Sequence, residues 1–285
     1  MKANAEAGVD SLKKADFERL ASFIHRVAGI KMPPSKHSMV EGRLRRRVVA
    51  TGASGFDEYC NQVFAAGEHS EEIINLVDAV TTNKTDFFRE PAHFDILAKI
   101  VLPGLDLARR PVKIWSAACS VGAEPYTLAM VVSEYAHAQP ARAPASQPPS
   151  ILGTDLCTAV LETARRGIYP AAMAAPIPID MRRRYLLRGK GSQAGSVRIV
   201  PQLRAMVRFA QLNLMAPNYN ADAGFDIIFC RNVLIYFDRA GQKAVLNRLC
   251  ARLAQGGVLA VGHSEAVHNL DLPLQAIGHT IFRKT

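Results

Sequence analysis

The chain has 285 residues, of which 49% are hydrophobic and 21% charged, and carries a formal net charge of +10. Such a composition excludes a disordered polar chain, and the length favours two domains over one. No run approaches the roughly 20 apolar residues that cross a bilayer, and residues 1–14 lack an apolar signal core. A soluble, unexported, cytoplasmic protein with no stable membrane insertion is expected.

Five cysteines, Cys60, Cys119, Cys157, Cys230 and Cys250, are scattered and never form a CxxC pair. They predict neither a disulfide framework nor a zinc site, and no metal is expected. The charge is uneven. Residues 12–50 hold ten Lys/Arg against three Asp/Glu, residues 51–80 hold six acids and no Lys/Arg, and residues 181–208 hold eight Lys/Arg and no acid. Two basic surfaces are therefore expected, suited to nucleic acid, anionic lipid or an acidic protein face, and charge does not choose among these.

In chain order, Asp16 is expected to cap a helix in which Phe17, Leu20, Phe23, Ile24 and Val27 share one face. Gly29 ends it, and Pro33 and Pro34 mark a loop. A second helix is predicted over 35–50. Val40, Leu44 and Val48 form its apolar stripe, with Arg43, Arg46 and Arg47 together on an adjoining face. A third helix begins near Phe56 and a fourth covers about 70–80, so residues 1–80 read as an all-α domain.

Residues 81–285 change character. A strand over 112–118 ends in a small-residue turn, and a helix follows over 124–135. Prolines break the connection over 136–149. Strand 151–154, helix 160–166, the continuous apolar strand 225–230 bounded by Asp226 and Arg231, helix 241–254, strand 257–262 and a last strand within 275–283 complete the series. Alternating strand and helix predicts a parallel α/β sheet with ligands at the carboxyl ends of its strands. Residues 181–213 interrupt the alternation. Their arginines, Gly189, Gly191 and Gly195, and strand-like pieces at 197–200 and 207–212 read as a small antiparallel β insert.

The segment 115–126, WSAACSVGAEPY, follows a strand and opens a helix, where doubly wound folds bind a nucleotide-like cofactor. Gly122 is expected to admit a ligand where a Cβ would clash, and Pro125 suits a first helical turn. The spacing is neither GxGxxG nor that of a P-loop. Asp155 ends the second strand, where a carboxylate can accept from both ribose hydroxyls. In the segment 82–90, TNKTDFFRE, Asn83 and Thr85 supply short hydrogen-bonding side chains and Arg89 a forked cation suited to a carboxylate. Residues 262–265, GHSE, hold the residue types of a hydrolase triad. Neighbours on one strand end do not point at one another as a triad requires, so a structural turn is expected.

These segments resemble the CheR family of chemotaxis receptor glutamate methyltransferases over residues 17–285. The resemblance is carried by RVAGI (26–30) with RLRRR (43–47), by 82–90, by WSAA with G-x-EPY (115–126), by GTD (153–155), LNL (212–214) and FCRNVLIYF (229–237), and by 262–265, all in order. It implies a Rossmann-like class I methyltransferase sheet with a small antiparallel insert and an N-terminal helical receptor-recognition domain. It also implies S-adenosylmethionine as cofactor, S-adenosylhomocysteine as product, and methylation of receptor glutamates in chemotactic adaptation.

By the same resemblance, Asn83, Thr85, Arg89, Glu124, Asp155, Asn213, Leu214, Asn232 and Val233 contact the cofactor, with Asp155 at the ribose, Asn213 and Leu214 by the adenine, and Asn232 at the methionine end. Arg89 and Tyr236 would lie near the transferred methyl. Ala123 stands where the family often has a glutamate, and Glu124 keeps the matching binding position. Arg43, Arg45, Arg46 and Arg47 are expected to steer glutamate-rich receptor helices, and the β insert to grip a receptor's C-terminal peptide, with recruitment of the protein to membrane receptor arrays. An RNA methyltransferase and a cofactor-binding regulator without turnover are the alternatives. The basic stretches lack the aromatic interleaving of single-strand binders, and no nucleic-acid partner is expected.

Overall fold

The computed structural model describes residues 10–67, 70–81, 83–142, 148–265 and 270–285. Residues 1–9 of the expected helical domain, Thr82 of the 82–90 segment and residues 143–147 of the proline-broken connection lie outside the described residues. The chain divides into a helical unit, residues 1–82 with 236–241, and a sheet unit, residues 83–235 with 242–285.

The helical unit is built from α1 (Lys14–Ala28), α2 (His37–Thr51), α3 (Phe56–Ala65) and α4 (Glu71–Val80). The expected stripes are its core: Phe17, Leu20, Phe23 and Ile24 of α1, and Val40, Leu44 and Val48 of α2, are buried. Asp16 does not cap α1. The helix starts three residues earlier, with Lys13 at the cap position, and Asp16 sits buried in its first turn, accepting from Arg19 at 3.3 Å. Gly29, at φ 70°, ends the helix in the left-handed conformation that glycine adopts without strain. Ser70 caps α4 by accepting from Ile73 N–H.

The arginines of α2 do not form one free surface. Arg43 Nη1 donates to the carbonyls of Val80 and Thr81 at 2.9 and 2.7 Å, so a cation closes the C-terminus of α4. Arg47 pairs with Glu72, which also accepts from Tyr59 Oη at 2.8 Å, tying α2, α3 and α4 together. Arg45 pairs with Glu41 at 2.5 Å along its own helix. Arg46 is exposed. Periodicity gave these residues a common face, but two of them reach carbonyl and carboxylate partners on a neighbouring helix.

The sheet unit holds a seven-stranded sheet of order β6-β2-β1-β7-β8-β10-β9. The strands are β1 (Lys113–Ala117), β2 (Ser150–Asp155), β6 (Val207–Gln211), β7 (Phe225–Cys230), β8 (Leu253–Val261), β9 (Leu274–Gly278) and β10 (Ile281–Lys284). The pairs β1–β2, β1–β7, β2–β6 and β7–β8 are parallel. The expected single last strand is instead a hairpin turning at His279 and Thr280, with β10 antiparallel to both neighbours, so the sheet is mixed.

Every residue of β7 is buried, as a central parallel strand requires. Trp115 is fully buried on β1 and its Nε1 donates to Thr154 Oγ1 of β2 at 2.9 Å. At the opposite end of the strands, buried Asp226 receives two bonds from Arg110 and one from Lys113 N–H. All five cysteines are free and buried.

The insert is a three-stranded antiparallel sheet, β3 (Ile168–Pro170), β5 (Ser196–Ile199) and β4 (Leu186–Arg188), in the order β3-β5-β4. It therefore begins before residue 181. The strand-like piece expected at 207–212 is β6, paired with β2 in the large sheet. A short strand's residue pattern records one buried face but does not say which sheet supplies its neighbour.

Replacing Arg43 by alanine removes both side-chain bonds to the α4 terminus. Urea denaturation should register a loss of about 1–3 kcal/mol in the helical unit.

Candidate active site

Strand order reverses about β1, which lies between β2 and β7, and such a switch point opens a crevice at the strands' carboxyl ends. The register places Ala117 beside Thr154 and Cys230, so the chain leaving β1, Asp155 of β2 and the chain leaving β7 adjoin. The backbone there is unusual. Phe88, Glu90, Ala118, Ser120 and Asn232 all have positive φ, between 51° and 66°, and Gly122 has φ 87°. Strain of this kind collects where a site needs a set shape.

Asp155 braces the first wall. Its carboxylate accepts from Ser120 N–H at 2.8 Å and Cys157 N–H at 3.0 Å, joining the turn after β1 to the turn after β2. Its backbone carbonyl accepts from Leu212 N–H, which sets the following Asn213 and Leu214 alongside. Asn213 Oδ1 accepts from Met215 N–H, and the Leu214 carbonyl from Tyr219 Oη and Arg248. Ser120 Oγ donates to the Asn83 carbonyl at 2.7 Å, fastening the 83–90 segment to the same turn. Thr85 is half-buried in that segment.

Gly122 serves a different purpose from the one expected. A Cβ there would lie 2.8 Å from the Cβ of Ala164 and 3.2 Å from Tyr169 Oη. The glycine admits the helix of Ala164 (Thr158–Arg166), rather than a ligand. Its positive φ adds a second reason for the residue.

Arg231, the first residue after β7, is the residue that sequence reasoning missed. Its side chain is 1% exposed. Nη1 donates to Glu124 at 2.9 Å, and Nη2 donates to Glu90 at 2.9 Å and to the Arg89 carbonyl at 2.5 Å. The guanidinium lies against Phe94 and Phe229, at 5.6 and 5.7 Å from the ring centroids. A charged residue directly after the buried, mostly apolar central strand was the available signal. Glu124 also accepts from Ser116 Oγ at 2.7 Å. The neighbouring Ala123 is fully buried in packing, so the absent acid leaves the Glu124–Arg231 pair untouched.

Asn232 and Val233 follow directly. Asn232 Nδ2 donates to Glu90 Oε1 at 3.1 Å. Since Glu90 accepts through one face of the amide, the Asn232 carbonyl oxygen is left for another donor. Burial pushes the Glu90 carboxyl up, but the bonds from Asn232 and Arg231 and the charge of Arg231 outweigh it, and Glu90 titrates at about 2. Buried Glu265 accepts from the N–H groups of Asn232, Leu234 and Gly262 at 2.9, 2.8 and 2.5 Å. Burial lifts its pKa against these donors. The 262–265 segment is the expected turn, closed by Glu265 N–H on the Gly262 carbonyl, and its acid shapes the loop after β7.

Arg89 is half-buried and donates to the Lys84 carbonyl at 3.0 Å. Tyr236, expected beside Arg89, groups with the helical unit, where its carbonyl accepts from Lys31 N–H at 3.0 Å. The expected cofactor residues all belong to the sheet unit.

The chemistry of these residues fits S-adenosylmethionine: a carboxylate suits ribose hydroxyls, amide and carboxylate acceptors suit an ammonium, and an apolar residue suits an adenine. Fold and crevice together define a class I methyltransferase. A family model for the SAM-binding domain of CheR methyltransferases matches residues 83–282, and one for their all-alpha domain matches residues 15–81. The chain is 38% identical over 275 residues to the chemotaxis protein methyltransferase of Escherichia coli (strain K12), covering 95% of this chain and 91% of the relative. It is 36% identical over 269 residues to chemotaxis protein methyltransferase 2 of Pseudomonas aeruginosa, with 94% and 92% covered. It is 37% identical over 275 residues to the Salmonella typhimurium chemotaxis protein methyltransferase, with 95% and 91% covered. The chain belongs to the CheR methyltransferase family.

Arg231→Met would leave the half-buried Glu90 and Glu124 without their cation. A loss of about 3–5 kcal/mol in unfolding free energy is expected, with weaker S-adenosylmethionine binding in calorimetry.

Proposed function

We propose that the protein transfers the methyl group of S-adenosylmethionine to glutamate side chains of chemotaxis receptors, giving glutamate methyl esters and S-adenosylhomocysteine. The observation that carries this reading is the braced polar crevice at the β1 switch point in a chain of this family. Asp155 would take the ribose hydroxyls, Asn213 and Leu214 the adenine edge, and Glu124 with the Asn232 carbonyl the ammonium. Asn83, Thr85 and Val233 would complete the wall through side chain and backbone, and Arg89 would hold a carboxylate.

The cofactor supplies an activated sulfonium methyl. A glutamate is already ionised at neutral pH, with a reference pKa near ~4.3, so no strong general base is required. The protein's task is to align a carboxylate oxygen with the methyl and to keep water out. Positioning of that kind supplies about 7–11 kcal/mol. We assign Arg89 to orienting the acceptor carboxylate and Tyr236 to shaping the acceptor side. The transfer by itself calls for no metal.

The helical domain would recognise the receptor. Arg46, exposed where Arg43, Arg45 and Arg47 are half-buried, is the candidate for steering acidic receptor helices. In the insert, Arg184 pairs with Glu134 and Arg183 with Asp180, while Leu187 is half exposed on the outer strand β4, where a receptor's C-terminal peptide could add a strand. Among the described residues no helix is long and apolar enough to cross a membrane, so presence at receptor arrays would come from binding. The family match over both domains disfavours an RNA substrate, and packing of Ala123 away from the Glu124–Arg231 pair disfavours a binding-only regulator.

Incubation with radiolabelled S-adenosylmethionine and receptor-containing membranes should leave base-labile label on a receptor-sized band. Label in total RNA instead would overturn the substrate. Arg89→Ala should lower the transfer rate about 100-fold or more at saturating cofactor, as for other positioning losses. Arg46→Glu should slow methylation at low salt, with the difference shrinking as salt screens the charge.

A further inference from the structure

We propose that Glu90, His93 and His263 form a binding site for one divalent cation of borderline softness, with zinc the best match. One ligand atom from each lies within 4.8 Å of the others. His93 Nδ1 is 3.6 Å from Glu90 Oε2, and His263 Nε2 is 3.9 Å from the same oxygen.

The argument turns on the hydrogen bonds of His93, whose ring is 1% exposed. Thr280 Oγ1 directs its own proton to the His279 carbonyl at 2.8 Å. Its oxygen accepts from His93 Nε2–H, 2.9 Å away, in the Nε2-protonated tautomer, and that tautomer leaves Nδ1 with a bare lone pair. That lone pair has no hydrogen-bond partner and faces the Glu90 carboxylate. Two acceptors opposed in a buried place repel each other, and a cation between them turns repulsion into coordination. An outer-shell bond from the second ring nitrogen, here to Thr280, is how a ligating histidine is held in tautomer and orientation.

Glu90 supplies the anionic ligand, and Glu124 shares with it the charge of Arg231. Tetrahedral zinc with bonds of ~2.0–2.2 Å sets ligand atoms about 3.3 Å apart. His263, with its side chain 42% exposed, is the ligand free to close the distance. The weak 3.3 Å contact from His263 N–H to Glu90 Oε2 is the one that coordination would replace. Two histidines and one carboxylate leave a fourth position for solvent.

The test uses the full-length metal-free protein. Calorimetric titration with Zn²⁺ should give one equivalent bound, and Co²⁺ should give visible absorption of a nitrogen- and oxygen-ligated centre. His263→Ala changes a surface-exposed side chain and should weaken binding about tenfold or more. His25→Ala, in the helical unit, should leave it unchanged. In the unmutated protein, Co²⁺ should shift the ring resonances of His93 and His263 and spare those of His25 and His137. Absence of stoichiometric binding, equal affinity in His263→Ala, or shifts confined to other histidines would overturn the proposal.

Discussion

The Arg231 guanidinium is the interaction on which the catalytic end of the sheet unit depends. It is carried to the carboxyl end of the central strand by a fully buried β7, and a cation with its side chain 1% exposed cannot be left there without partners. Glu124 from the helix after β1 and Glu90 from the segment before the sheet supply them, and the Arg89 carbonyl takes a further N–H. One side chain thereby ties three segments that are far apart in sequence. Arg takes this place better than Lys because its planar fork reaches several acceptors at once while its faces pack on Phe94 and Phe229.

Carboxylates do the remaining shaping, and each works by collecting backbone donors. Asp155 holds the turn after β1 against the turn after β2. Glu265 gathers the N–H groups of Asn232, Leu234 and Gly262. Asn232 keeps φ 60° within that hold, as Ser120 keeps φ 51° within the hold of Asp155. The strained conformations persist because charge-assisted hydrogen bonds over-determine them. Turns held in this way give the strand ends a fixed wall, and a fixed wall lowers the ordering cost of binding.

In the helical unit a basic segment has been partly turned inward. Arg43 closes a helix terminus and Arg47 meets Glu72 beside Tyr59, so much of the charge seen in the sequence stabilises the unit's own packing. A count of arginines consequently overstates the surface left for an acidic partner.

Local pattern was enough for much of this protein. The stripes of α1 and α2, the stop at Gly29, the buried run 225–230 and the order of the motifs determined the helical domain, the α/β domain and the family, because periodicity and chain punctuation are properties of neighbouring residues. Asp155 was legible because it ends a strand, whereas Asn232, two residues beyond β7, came only with the resemblance. The partners were not legible. That β6 joins the large sheet, that the last strand is a hairpin, that Gly122 makes room for Ala164, and that Glu90, His93 and His263 converge were decided by tertiary structure alone. A residue's pattern records which face it buries. Which distant group meets it there follows from strand order and register, and those are set by the packing of the whole domain.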